Sequence, residues 1–166
     1  MVSVPSPVEA AEILPVRFED RATTSANLWR PHKQTGPPFV IVPAMGVRAS
    51  FYRPVCAALA ACGHGVLNAD QRGHGASTIR PRRGDDFGFM ELLQTDIPHL
   101  VQIATDVFGQ APRLLGHSLG GQLSCLYAGQ RPATIGGVAI IACASLWWRK
   151  FPPLLRHGIW MFNHFA

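Results

Sequence analysis

Apolar residues in this chain fall into short continuous runs, and the segments between the runs carry apolar positions at helical spacing. That alternation predicts strands joined by helices. Residues 39–44, "FVIVPA", form a run rich in β-branched side chains, as a strand buried on both faces should. Ser50 is placed to cap a helix that runs to about Cys62, with Pro54 in its first turn, an apolar set at Phe51, Val55, Leu59 and Cys62, and Gly63 as terminator. "GVLNAD" reads as a short strand ending at Asp70, followed by the glycine-rich loop "QRGHGAST". A helical region then spans about 87–108, with Asp96 as the expected cap of its second part and Ile97, Leu100, Val101, Ala104 and Phe108 as its apolar face. "RLLGH" is the next strand, "LGGQLSCLYAGQ" a helix and "IGGVAIIACA" another strand. Upstream, "EILPVRF" and "ANLWRP" read as an antiparallel entry to the same sheet. Strands alternating with helices imply parallel crossovers, hence an α/β fold with helices on both faces of a mostly parallel sheet.

Composition narrows the class. The chain has 166 residues, of which 48% are hydrophobic. Residues 1–166 are therefore expected to form one domain with a real core at about 12–146. The formal charge of +5 comes from scattered cations, and charged residues make up 15% of the chain. The densest group, Arg80, Arg82 and Arg83, is answered at once by Asp85 and Asp86 and reads as a solvated loop, so no nucleic-acid partner is expected. Cys56, Cys62, Cys125 and Cys143 lie in apolar stretches without metal-ligand spacing and read as buried free thiols in a reducing, cytoplasmic setting. The first residues lack the pattern of a signal peptide, and no apolar run is long enough to span a bilayer. The weakly polar tail, residues 147–166, reads as the start of a substrate-covering cap or lid rather than as a membrane-surface helix.

The chemistry gathers at one serine. In "LLGHSLGG", Ser118 stands where a strand passes into a helix, with Gly116 two residues before it and Gly120 two after. In a parallel α/β sheet, functional groups collect at the carboxyl ends of the strands. A reversal within one or two residues forces the serine into a strained backbone and thrusts its side chain out, while any Cβ at Gly116 or Gly120 crowds the turn and Gly121 lets the helix approach its neighbours. The helix that follows points its positive end and free amides at the same place. Asp70, Arg72 and His74 read as loop residues, with Asp70 accepting backbone hydrogen bonds. His117, beside the serine, should point away from its side chain. Asp86-Phe87-Gly88 matches a kinase triplet but lacks the other kinase motifs and is set aside.

"GHSLGG" at 116–121, with "VIVPAMG" ending one strand and "DQRGHGAS" following the next, resembles the α/β-hydrolase fold. The likeness is to its serine aminopeptidase and monoacylglycerol-lipase-like branch, over roughly residues 12–155. The resemblance implies that Ser118 attacks an acyl carbonyl to give an acyl-enzyme that water releases. It further implies an oxyanion hole made by the backbone amides of Leu119 and Met45. Many relatives have His-Gly where this chain has Pro43-Ala44, but only the backbone is needed there. The implied substrate is a small acyl compound, a carboxylic or lipid ester, and the implied chemistry needs neither metal nor organic cofactor.

In this family the acid and histidine of the triad follow the serine. After Asp106 the chain has no Asp or Glu, and after Ser118 its only histidines are His157 and His164 in the expected cap. The sequence therefore reads as an α/β-hydrolase fold lacking its last strands, with the acid and histidine expected beyond the chain end. A sheet edge left open in this way is expected to favour self-association. Asp70 with His157 is the weaker alternative base pair. The rival reading is a catalytically silent module that binds an apolar ligand or a partner protein.

Overall fold

The computed structural model describes residues 11–80, 87–143, 152, 153 and 156. Six strands, β1 (Glu12–Arg17), β2 (Thr23–Trp29), β3 (Phe39–Val42), β4 (Val66–Ala69), β5 (Arg113–His117) and β6 (Gly137–Ile141), form one sheet in the order β1-β2-β4-β3-β5-β6. β1 pairs antiparallel with β2, and β2 with β4, while the pairings of β3 with β4, β3 with β5 and β5 with β6 are parallel. Helix α1 (Arg53–Ala61) joins β3 to β4. Helices α2 (Phe89–Glu91) and α3 (Ile97–Phe108) join β4 to β5, and α4 (Leu119–Gln130) joins β5 to β6. The expected cap at 147–166, with His157 and His164, and the cluster from Arg82 to Asp86 lie outside the described residues, save 152, 153 and 156.

The alternation of side chains along the strands decides which helix each residue meets. Val40 and Val42 pack with Leu114, with Val101 of α3 and with Leu123 and Tyr127 of α4. Their neighbours Phe39 and Ile41 pack on the other face with Leu115 and with Tyr52, Cys56 and Ala60 beneath α1. Both faces of β3 are covered, which is why every position of that strand is apolar. The connection from β3 runs to one side with α1 on one face, and the connection from β5 runs to the other with α4 on the opposite face. The crevice between the carboxyl ends of β3 and β5 is therefore the topological switch point of the sheet.

Three local expectations are corrected. A 3₁₀ turn, Ala49–Tyr52, precedes α1, and Ser50 caps nothing. The buried stripe is Ala49, Tyr52, Cys56 and Ala60, whereas Phe51 is 68% exposed. Val55 and Leu59 are partly buried beside that stripe. The inward-facing aromatic is Tyr52, because its hydroxyl finds polar partners within the fold. Asp96 does not cap α3. It closes a π-helical turn, Leu92–Asp96, with helical backbone, and its buried carboxylate takes Nε and Nη2 of Arg72 at 2.6–2.9 Å. Finally, all four cysteines are free but only Cys56 is buried, its thiol pushed up to about 12 by that burial; Cys62 and Cys125 are exposed and Cys143 is half-buried.

Arg72 is 4% exposed, and besides Asp96 it donates Nη1 to Asp20 and lies 5.3 Å from the centroid of the Phe18 ring. The guanidinium thus ties the loop after β4 to both the β1–β2 turn and the helical crossover. At the far side of the sheet β6 is the edge strand among the described residues, and Val138, Ile140 and Ile141 are 36%, 52% and 49% exposed. Among the described residues no helix is long and apolar enough to cross a membrane.

Asp96→Ala strips a buried cation of its main partner and is expected to cost about 3–5 kcal/mol in urea unfolding. Asp20→Ala is expected to cost less than about 1 kcal/mol, because the Asp20 side chain is 42% exposed. The hydrogen bond from Arg72 holds the Asp20 carboxyl below the usual carboxylate range. Folded chains therefore release this proton more readily than unfolded ones, so the stabilisation is complete above pH of about 4 and fades as pH falls through the lower folded value. The stability gap between wild type and Asp20→Asn should close over that interval. Burial pushes the Asp96 carboxyl up, against Arg72, so Asp96 contributes with the opposite sign.

Candidate active site

β5 is buried at Leu114, Leu115 and Gly116, and α4 begins at Leu119, which leaves one residue to turn the chain after His117. That residue, Ser118, has φ 52° and ψ −115°. A non-glycine residue there stores about 1–3 kcal/mol, and such a conformation persists only where its surroundings enforce it. Here they do. The Ser118 amide donates to the Ile141 carbonyl at 3.0 Å, continuing the β5–β6 ladder, and the Ser118 carbonyl accepts from Gly121 and Gln122 at 3.0 and 3.2 Å, closing the first turn of α4. The serine backbone is bolted into both elements, and its side chain is left exposed.

The glycines are fixed by contact rather than by flexibility. A Cβ at Gly116 would stand 2.4 Å from the Gly120 carbonyl oxygen, and one at Gly120 would stand 2.0 Å from the carbonyl oxygen of Val42. A Cβ at Gly121 would lie 2.8 Å from that of Cys143. These are the close approaches expected where β5 turns sharply into α4, and they press the start of α4 against the end of β3. As the first residue of a twelve-residue helix, Leu119 has an amide with no intrahelical acceptor, and no acidic side chain occupies the first turn.

The segment after β3 lies at the same end of the sheet. The Ala44 amide donates to Tyr52 Oη at 2.8 Å, and that oxygen is 2.9 Å from His117 Nδ1. Tyr52 Oη, already accepting from Ala44, is left to donate its proton to Nδ1, and that edge of the His117 ring faces the turn before α1. The Gly46 amide donates to His74 Nε2 at 3.1 Å, while His74 Nδ1 lies 2.9 Å from the Arg72 carbonyl. That pair of bonds selects the tautomer with the proton on Nδ1. Between Ala44 and Gly46, the Met45 side chain is 72% exposed. Its amide has no hydrogen-bond partner among the described residues.

Asp70 accepts the amides of Ala49 and Ala76 at 2.7 and 2.9 Å, the backbone-holding role expected of it. Among the described residues none hydrogen-bonds the Ser118 hydroxyl. A cleft of about 20 Å³ beside Val42, Pro43, Asp70 and Gln71 has room for one or two waters and does not include Ser118. The structure brings Ser118, Leu119 and Met45, the residues singled out from sequence, to the same end of the sheet; sequence reasoning missed Tyr52 and the two-sided use of His74. The available signal was a tyrosine on an inward stripe, since a buried hydroxyl requires a partner.

The family model for serine aminopeptidase, S33, matches residues 37–166. No curated protein matches the sequence significantly. Among solved structures, the monoacylglycerol lipase of Paleococcus ferrophilus aligns with a TM-score of 0.62 at 24% identity, over 86% of this chain and 52% of its own. A thermostable carboxyl esterase from Bacillus coagulans, solved with glycerol, aligns with a TM-score of 0.71 at 20% identity, over 93% and 52%. An epoxide hydrolase from Vigna radiata gives 0.68 at 17% identity, over 93% and 46%. These likenesses show the α/β-hydrolase fold, and the chain spans about half the length of each of these structures.

Two substitutions test the geometry without any assay of activity. Gly120→Ala, whose methyl meets backbone oxygen, is expected to cost more than about 3 kcal/mol or to prevent folding. Ser118→Gly relieves the left-handed backbone and is expected to stabilise the chain by about 1 kcal/mol in thermal or urea unfolding, after the entropy that glycine adds to the unfolded state. Loss of stability in Ser118→Gly would show that the turn is not strained.

Proposed function

The chain belongs to the serine aminopeptidase S33 family, and from that premise we propose that Ser118 is the nucleophile of an acyl hydrolase acting on a carboxylic or lipid ester. The observation that carries the proposal is the exposed Ser118 side chain on a strained turn directly before the α4 N-terminus. Ser118 Oγ adds to the acyl carbonyl, and the oxygen that becomes negative is met by the Leu119 and Met45 amides, two donors that have no other partner among the described residues. The positive end of α4 reinforces them. Collapse of the tetrahedral species expels the alcohol and leaves the acyl group on Ser118, which water then removes. Gly116 and Gly120 serve by permitting the turn. The proton of the serine passes to a base that we assign to a residue outside the described segments, since His117 is engaged by Tyr52 and Asp70 by two amides. Nothing in this scheme requires a metal or organic cofactor.

The ester class is supported by the solved lipase and esterase with the same fold. A cytoplasmic setting is supported by four unpaired cysteines. That no described residue bonds the Ser118 hydroxyl favours a second reading, a silent module with the turn but without its base. We also propose that β6, apolar and unpaired on one side among the described residues, mediates self-association of this chain.

Treatment with a fluorophosphonate and measurement of intact mass is expected to show one adduct, absent in Ser118→Ala. No adduct on a folded chain would favour the silent module. In sedimentation, the wild-type chain is expected to associate with rising concentration and Ile140→Lys to remain monomeric; equal behaviour of the two would exclude the β6 edge as the contact.

A further inference from the structure

We infer that Tyr52 and His74 are positioning residues for the oxyanion-binding segment, each holding one of the two amides that flank Met45. The inference rests on the proposed role of Ser118 and adds to it the device that places the second donor. Backbone amides are obligatory donors, and in the segment from Ala44 to Val47 each has a distinct fate. Ala44 gives its amide to Tyr52 Oη at 2.8 Å, Gly46 gives its amide to His74 Nε2 at 3.1 Å, and Val47 closes a turn onto the Ala44 carbonyl at 3.2 Å. Met45 alone keeps its amide unpartnered among the described residues. On the carbonyl side, Gln71 Nε2 holds the Pro43 oxygen at 3.1 Å.

Apolar packing does not hold Met45 in place, because its side chain is 72% exposed, and Gly46, at φ 77°, has open space around it. Ala44 is buried and Val47 packs against the core at the two ends of the segment, and between them polar side chains from two other parts of the fold fix the backbone on either side of Met45. Tyr52 comes from the turn before α1 and is anchored in turn by His117, the residue preceding Ser118. His74 comes from the loop after β4 and is anchored by the Arg72 carbonyl, on the residue that Asp96 holds in the core. An oxyanion donor must be placed to within a fraction of an ångström to act, and these anchors sit on either side of it.

The test follows amide hydrogen exchange by NMR in the intact chain, together with the rate at which Ser118 is phosphonylated, in Tyr52→Phe, His74→Ala and His74→Gln. In the wild type, the Ala44 and Gly46 amides are expected to exchange about tenfold or more slowly relative to Met45. Tyr52→Phe should release Ala44 and leave Gly46 protected, and His74→Ala should do the reverse. Each should slow phosphonylation by about tenfold or more, and His74→Gln, which keeps both an acceptor and a donor, should restore much of it. Equal protection of all three amides in the wild type would overturn the arrangement. Release of Ala44 or Gly46 with an unchanged phosphonylation rate would overturn the positioning role. A wild-type chain that takes no phosphonate counts against Ser118 as nucleophile, and the exchange pattern then supports or overturns the loop arrangement by itself.

Discussion

At Gly120 the first turn of α4 lies so close to β3 that a single added carbon would stand 2.0 Å from the Val42 carbonyl oxygen. With the helix that close, the chain leaving β5 has one residue in which to turn, and Ser118 takes the left-handed backbone that the turn demands. The strain is local, of order about 1–3 kcal/mol, and is borne by the β5–β6 ladder and the α4 hydrogen bonds that clamp the serine on both sides. The same contact brings the free amides of α4 against the segment that leaves β3. One steric condition thus creates the exposed hydroxyl, the positive helix end and the neighbouring loop together.

The site sits there because the sheet reverses direction there. β3 sends its connection to one side and β5 sends its own to the other, which opens a crevice between the carboxyl ends of the two strands. Around it the fold changes its mode of cohesion. Below the crevice, apolar residues on both faces of β3 and β5 do the holding. Above it, polar contacts take over, some buried and some open to solvent: Arg72 with Asp96 and Tyr52 with the Ala44 amide are buried, whereas Asp70 with two amides and His74 with the Gly46 amide are partly or fully exposed. Directional bonds of this kind fix loop geometry more sharply than apolar packing does, and where they are buried, as for Arg72 and Asp96, they cost the desolvation of both groups.

The parts of this arrangement that could be read from sequence are those set by local pattern. β3 shows as a continuous apolar run, β5 as the short strand "RLLGH", and the bounds of α4 coincide with the segment "LGGQLSCLYAGQ". The close approaches at Gly116 and Gly120 are legible because a tight strand-to-helix turn leaves no room for a Cβ on either side of the serine. What escaped reading depends on partners distant in the chain. Tyr52 meets His117 across 65 positions, and Arg72 meets Asp96 across 24. Asp96 has the type and place of a helix cap and becomes a counterion only because a buried guanidinium arrives beside it. Phe51 outranks Tyr52 in hydrophobicity, yet the hydroxyl of Tyr52 has somewhere to go inside the fold and so the stripe turns by one residue.

The most direct test of the account is a crystal structure of the chain after reaction with a phosphonate ester. The account predicts a covalent bond from phosphorus to Ser118 Oγ, with the phosphoryl oxygen about 2.7–3.1 Å from the amide nitrogens of both Leu119 and Met45. A phosphoryl oxygen directed into solvent, or a phosphonate attached elsewhere while Ser118 stays free, would contradict it.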